Sequence, residues 1–116
     1  MTKRKKEYRD YLESDHWQNL RKEAFAKYGS ICSACCEAPA KSVHHLRYLS
    51  FYNITVEDVR PVCGKCHSTI HKLHKKARRK NLNYFERWLF AIKEIQAKIK
   101  TRRKREEMAK FEDWSI

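Results

Sequence analysis

The chain has 116 residues, a formal net charge of +13 and 35% charged residues, a balance that favours one small domain with a limited apolar core. No apolar run approaches the roughly 20 residues of a membrane span, so we expect a soluble protein with no membrane partner. The excess of lysine and arginine predicts a polyanionic partner, because these side chains displace counterions from phosphates.

The N-terminal part is predicted to hold one helix. We expect residues 1–13 to be charged and irregular, apart from one helical turn that Tyr8, Tyr11 and Leu12 could form. A helix is predicted over Asp15–Tyr28, with Ser14 as the N-cap and Gly29 as the stop. Its apolar residues share one face: Trp17, Leu20, Ala24 and Tyr28.

Two Cys-x-x-Cys knuckles flank a predicted hairpin. The first knuckle lies within Ile31–Cys35, and a strand over Lys41–Tyr48 follows it. A loop is predicted over Ser50–Thr55. A second strand near Val59–Val62 leads directly into the second knuckle, Cys63-x-x-Cys66.

Two further helices are predicted after the second knuckle. The first spans about Lys65–Arg79, and three histidines share one of its faces: His67, His71 and His74. The second begins at Tyr84, with Asn83 and Glu86 as a capping box and an apolar stripe that we expect to pack on the domain core rather than form a dimer seam. The stripe is Phe85, Trp88, Leu89, Ile92, Ile95 and Ile99. Beyond Thr101 the apolar pattern decays into charge, and we expect the tail around Phe111 and Trp114 to be mobile.

The four knuckle cysteines predict a structural zinc site, because four thiolates complete a tetrahedral shell around this ion. The ligands would be Cys32, Cys35, Cys63 and Cys66. Binding of such an ion contributes roughly 10–16 kcal/mol to folding, which a small core needs. Cys36 could replace Cys35, although the spacing favours Cys35. Disulfides are the rival interpretation, but the cysteine count is odd and the chain shows no signal-peptide pattern, so we expect a cytoplasmic, intracellular protein.

The histidines are not needed as ligands of that zinc site, and they predict a second metal site. His67 and His71 lie one helical turn apart, and neutral imidazoles with an open position suit a catalytic metal. Adjacent residues of a strand point to opposite faces, so His44 and His45 cannot both bind the same ion. One of the two must therefore have another task. His74 shares the face of His71 and is an alternative to it.

The chain resembles the zinc-knuckle form of the HNH endonuclease family over roughly residues 8–75. Six elements carry the resemblance: the helix Trp17–Tyr28, Cys32-x-x-Cys35, Val43-His44-His45, Glu57-Asp58-Val59, Cys63-x-x-Cys66-His67 and Ile70-His71. The resemblance implies a small α+β fold in which a ββα-metal core is stapled by the four-cysteine zinc site and flanked by N- and C-terminal helices. We expect a basic segment at 1–13, the nuclease core at 14–80, and an amphipathic helix with a charged tail at 81–116.

The resemblance also implies a role for each site residue. His44 would bind a catalytic divalent ion (Mg²⁺, Mn²⁺, Ni²⁺ or Zn²⁺) together with His67 and His71, and His45 would be the general base. Asp58 stands where the family has asparagine, and its carboxylate would tend to raise the pKa of a nearby histidine. An ordinary turn residue is the alternative for Asp58.

These features predict a metal-dependent DNA endonuclease that nicks or cuts duplex DNA. The alternative is a zinc-ribbon module that binds nucleic acid without catalysis, which would not need the histidines. Charge is concentrated in Lys3–Arg9, Lys72–Lys80 and Lys98–Arg105. The predicted DNA-binding residues on the histidine-bearing helix are Lys72, Lys75, Lys76, Arg78, Arg79 and Lys80. A homodimer or a larger DNA-processing machine is left open.

Overall fold

Four helices and a two-stranded antiparallel sheet make up the described part of the chain, residues 3–46 and 51–114 of a computed structural model. The elements in chain order are α1 (Lys3–Leu12), α2 (Asp15–Tyr28), β1 (Ser42–His45), β2 (Val59–Val62), α3 (Gly64–Arg79) and α4 (Tyr84–Trp114). Two short 3-10 turns, Phe51–Asn53 and Val56–Asp58, precede β2. The fold is thus a small mixed α+β arrangement, as the sequence predicts.

Helix α1 shows that the prediction of an irregular segment before Ser14 is wrong. The reason is Tyr11, which is fully buried and packs its ring 5.6 Å from Trp17. Its hydroxyl lies 3.1 Å from Nδ1 of His16, so the half-buried His16 also contacts α1. Burial of one large aromatic side chain therefore orders a helix that is otherwise mostly charged and exposed.

Helix α2 begins and ends where its capping residues predict. The backbone N–H of Trp17 donates to Oγ of Ser14 at 3.2 Å. Gly29 has a φ of 87° and donates its N–H to the carbonyl of Phe25 at 3.0 Å. The buried face of α2 belongs to the core cluster on the α2 side of the sheet. The members of this cluster are Tyr11, Trp17, Leu20, Ala24, Val43, Ile54 and Val59.

The two strands pair with His44 opposite Arg60 and His45 opposite Val59. Strand β1 is shorter than predicted within the described residues, and positions 47–48 of the predicted strand lie outside them. The backbone N–H of Leu46 still donates to the carbonyl of Asp58 at 2.7 Å, which extends the pairing past His45. Part of the predicted loop is the 3-10 turn Phe51–Asn53, and position 50 lies outside the described residues.

The second core cluster, here called the cysteine core, lies between the other face of the sheet, α3 and α4. Its buried members are Cys32, Ala34, Cys35, Leu46, Val62, Cys63, Cys66, Ile70, Trp88, Ala91, Ile95 and Ile99. Helix α4 starts at the predicted capping box, in which Glu86 N–H donates to Oδ1 of Asn83 at 2.9 Å. Packing of the apolar stripe on the domain core is confirmed, except that Phe85 and Leu89 are half exposed.

Helix α4 continues to Trp114, through the exposed, charged stretch that follows Thr101. Lysine, arginine, glutamate, alanine and methionine fill positions 102–110, and all are strong helix formers. Arg102 Nε lies 3.6 Å from Glu106 one turn on, and Arg103 reaches Glu37 of the first knuckle at 2.7 Å. In the part of the chain that the structure describes, no helix has the combination of length and apolar character that crossing a bilayer requires.

The burial along α4 predicts how two substitutions on this helix differ. Ile95→Ala should lower the free energy of unfolding by about 2–5 kcal/mol, because it opens a cavity in the cysteine core. Met108→Ala, at a side chain that is 58% exposed, should change it by less than about 0.5 kcal/mol. Urea unfolding of the metal-loaded protein checks both, and equal effects would contradict the observed packing of α4.

Candidate metal centres and catalytic residues

Four buried cysteines form the first candidate centre. One sulfur from each of Cys32, Cys35, Cys63 and Cys66 lies within 4.8 Å of all the others. Cys63 is also the N-cap of α3, where its sulfur accepts the N–H of Cys66 at 3.4 Å. All five cysteines are free thiols. A closed, buried cluster of four sulfurs suits a structural metal ion, and this donor set is typical of zinc.

The first knuckle distinguishes its two adjacent cysteines. Cys35 is buried, and its sulfur accepts the N–H of Ala38 at 3.5 Å. Cys36 is exposed, with a φ of 59°, and lies outside the four-sulfur cluster. Cys36 has a left-handed backbone conformation, and its sulfur is not part of the cluster. Cys35 is therefore the available ligand, as the spacing predicts.

Burial raises the pKa of the Cys66 thiol, and hydrogen bonding to Cys63 and the proximity of the other thiols raise it further. Without an ion this thiol therefore stays protonated at neutral pH. A cation that binds here must displace protons, because the thiolate is the ligand.

Three histidines form the second candidate centre. His44 comes from β1, and His67 and His71 from α3; one nitrogen of each lies within 4.8 Å of the other two. Their ring centroids are 4.7 Å apart for His67 and His71, and 5.6 and 5.5 Å from His44. His44 is buried, His67 half-buried and His71 exposed. Three imidazoles with one open side fit a divalent cation that keeps positions for other ligands.

His44 is held in a closed environment. Its ring stacks on Trp88 of α4 with a centroid distance of 5.5 Å and an interplanar angle of 19°. Burial, followed by the nearby imidazoles of His74, His67 and His71, lowers its pKa to about 3. His44 is therefore neutral at physiological pH, which is the form that binds metal ions.

His45 lies on the opposite face of β1, as strand alternation requires. It stacks on Trp17 of α2, with ring centroids 5.1 Å apart and an interplanar angle of 12°. Burial and then His67 lower its pKa, whereas the Asp58 carboxylate acts in the opposite direction. The predicted effect of Asp58 is present, but burial outweighs it. The result is an imidazole that is neutral at pH 7.

Asp58 is buried at the junction of the 3-10 turn and β2. Its Oδ2 accepts the backbone N–H of Thr55 at 2.9 Å and the hydroxyl of Thr55 at 3.1 Å. Its backbone carbonyl accepts the N–H of Leu46, next to His45. Asp58 therefore has a turn-forming role, and its charge also reaches His45.

Three residues near the centres have contacts that the sequence did not indicate. His74 lies 5.4 Å from His44 by ring centroid but outside the three-nitrogen cluster, and burial, His71 and Arg87 lower its pKa. Trp17 and Trp88 are predicted as core residues of their helices. Nothing in their spacing indicates that each stacks on one histidine of the His44-His45 pair.

The predicted DNA-binding residues lie on α3 and at its C-cap. All six are exposed: Lys72, Lys75, Lys76, Arg78, Arg79 and Lys80. In the run Lys98–Arg105, Arg102 and Arg103 instead pair with Glu37 at 2.7 Å. The charge on α3 is therefore more available to a partner than that of these two arginines.

Comparisons of the chain with protein-family models, with curated proteins and with solved structures gave no match. The roles of the two centres therefore have to be argued from their own geometry and donor chemistry.

Metal analysis checks the four-sulfur site. The purified protein should carry one zinc per chain, and a Cys32→Ser/Cys63→Ser variant should lose the zinc together with cooperative unfolding, because structural zinc binding contributes to folding free energy. Cys36→Ser is the matched control and should keep one zinc per chain. Stoichiometric zinc in the double variant, or its loss in the control, would contradict the ligand set.

Proposed function

We propose that this protein is a metal-dependent DNA endonuclease of the HNH type, built on a ββα-metal core. The observation that carries the proposal is the pairing of a three-imidazole cluster with a separate neutral histidine, His45, on the adjacent strand position. A zinc ribbon that only binds nucleic acid needs the cysteines and the basic surface. It does not need four histidines at this place.

The three-histidine cluster would hold the catalytic ion. Its donors are all imidazole nitrogens, which suit Ni²⁺ or Zn²⁺ better than Mg²⁺ or Mn²⁺. A bound ion would offset charge on the scissile phosphate and on the departing oxygen. Because His71 is exposed and His44 buried, the open side of the cluster is the side of α3 that faces solvent.

His45 would be the general base. A ring nitrogen would take a proton from water as the water oxygen bonds to phosphorus. The bond from phosphorus to the 3′ oxygen would break, and this oxygen would take up a proton from solvent. The products carry a 5′-phosphate and a 3′-hydroxyl. Stacking on Trp17 fixes the plane of the ring, and the Asp58 carboxylate stabilises the imidazolium that forms.

DNA would lie along α3. The six cations follow His71 on this helix and its C-cap, so they extend from the site along the backbone of a bound duplex. Phosphate contacts of this kind hold the duplex without reading its bases. The four-sulfur site would hold zinc and keep the start of α3, and therefore His67, in place.

Removal of the proposed base gives the most direct test. His45→Ala should lower the rate of supercoiled-plasmid cleavage with Ni²⁺ or Mn²⁺ by about 10²–10⁴-fold, because proton transfer to the base is lost. Zinc content and DNA affinity should stay near those of the parent.

His16→Ala is the matched control, since His16 lies on the same side of the sheet as His45 but outside both centres. It should retain the parent's rate within about twofold. Activity of His45→Ala within the same range would remove His45 from the mechanism. If the parent binds DNA but does not cleave it with any divalent ion, the result would favour the zinc-ribbon alternative.

The salt dependence of DNA binding tests the surface of α3. If about six phosphates are neutralised, log affinity should fall against log salt with a slope near −5, since each neutralised phosphate adds about 0.9 to its steepness. Replacing Arg78, Arg79 and Lys80 with alanine should flatten the slope for every duplex alike. A Lys22→Ala/Lys27→Ala variant on α2 should keep the parent's slope; the opposite pattern would place DNA on another face.

A further inference from the structure

Two buried ring nitrogens stand out in the described residues, 3–46 and 51–114. Nε2 of His44 and Nε2 of His74 are the buried side-chain atoms there that have no hydrogen-bond partner. Buried polar atoms are nearly always paired, so two such atoms in neighbouring rings require an explanation. The rings are 5.4 Å apart and almost perpendicular, at 87°.

We propose that His74 is a positioning residue, which accepts a hydrogen bond from Nε2–H of His44 and so leaves the Nδ1 lone pair of His44 for the catalytic ion. This role rests on the proposed function of the three-histidine centre. A neutral imidazole has one N–H donor and one acceptor nitrogen. A single N–H···N bond between the two rings would therefore satisfy both buried atoms.

The other contacts of His44 do not select its tautomer. Stacking on Trp88 fixes the plane of the ring but is indifferent to which nitrogen carries the proton, and the indole N–H is a donor only. The other two imidazoles that face His44 are His67 and His71, whose nitrogens belong to the ion site. A histidine that binds a metal ion normally donates its second N–H to a fixed acceptor. His74 is the acceptor that the structure offers.

His74 is less suited to bind the ion directly. It lies outside the set of nitrogens within 4.8 Å of one another. The guanidinium of Arg87 also acts electrostatically on His74, and it is held 4.8 Å above the ring of Tyr84 with its Nε bonded to the carbonyl of Leu82 at 2.8 Å. A fixed positive charge beside His74 opposes a second cation there.

Calorimetric titration of the tag-free, zinc-loaded protein with Ni²⁺ tests this role. The parent should bind one Ni²⁺ at the histidine centre. His74→Ala should still bind one, but about 10–100-fold more weakly, the usual cost of losing an outer hydrogen-bond partner. His74→Gln should recover most of the affinity, because its carbonyl oxygen can accept the same N–H.

Ser68→Ala is the control on the same helix; Ser68 is exposed, and the substitution should leave Ni²⁺ affinity within about twofold. Long-range ¹H–¹⁵N spectra of the metal-free parent should show His44 protonated on Nε2. Protonation on Nδ1, or unchanged affinity in His74→Ala, would overturn the role of His74. Complete loss of the Ni²⁺ site in His74→Ala, as expected for His71→Ala, would make His74 a direct ligand and also overturn it. A parent that binds no Ni²⁺ would instead remove the three-histidine centre itself.

Discussion

The rest of the structure depends on the clustering of four buried sulfurs at one point of the core. The cluster joins the first knuckle to the end of β2 and the start of α3, and Ile70, Trp88 and Ile95 belong to the apolar core around it. In a chain with 35% charged residues, apolar burial alone provides limited stability. An ion that binds the four sulfurs would add directly to the folding free energy. Because Cys63 is also the N-cap of α3, the same cluster sets where His67 and His71 lie.

Strand alternation then gives two adjacent histidines different surroundings. His44 faces α3 and stacks on Trp88, whereas His45 faces α2 and stacks on Trp17. Each tryptophan belongs to a different core cluster, so the sheet between the clusters holds both histidine rings in a fixed relation. A shift of one residue in the pairing of β1 with β2 would exchange the two faces and separate His44 from His67 and His71.

Local signals in the sequence account for the parts of the fold that were predicted. Ser14, Gly29 and the Asn83–Glu86 box mark helix ends because capping bonds involve only near neighbours. The prediction for residues 1–13 failed because a contact outside that segment decides its structure. Helix α1 is ordered by Tyr11 packing against Trp17. The members of both centres could be identified from spacing and resemblance, but their ring partners could not, since these lie on helices distant in sequence.

The ligands of the two centres are in different protonation states before a cation binds. Burial among other thiols raises the pKa of Cys66, so an ion entering the sulfur cluster must displace protons from buried groups. Burial has the opposite effect on a base: it lowers the pKa of His44 to about 3 and also lowers that of His67, which leaves neutral nitrogens with available lone pairs. All four cysteines of the sulfur cluster are buried, whereas the imidazole cluster opens to solvent at His71. The first arrangement suits an ion taken up as the chain folds, and the second suits an ion that also binds ligands from solvent.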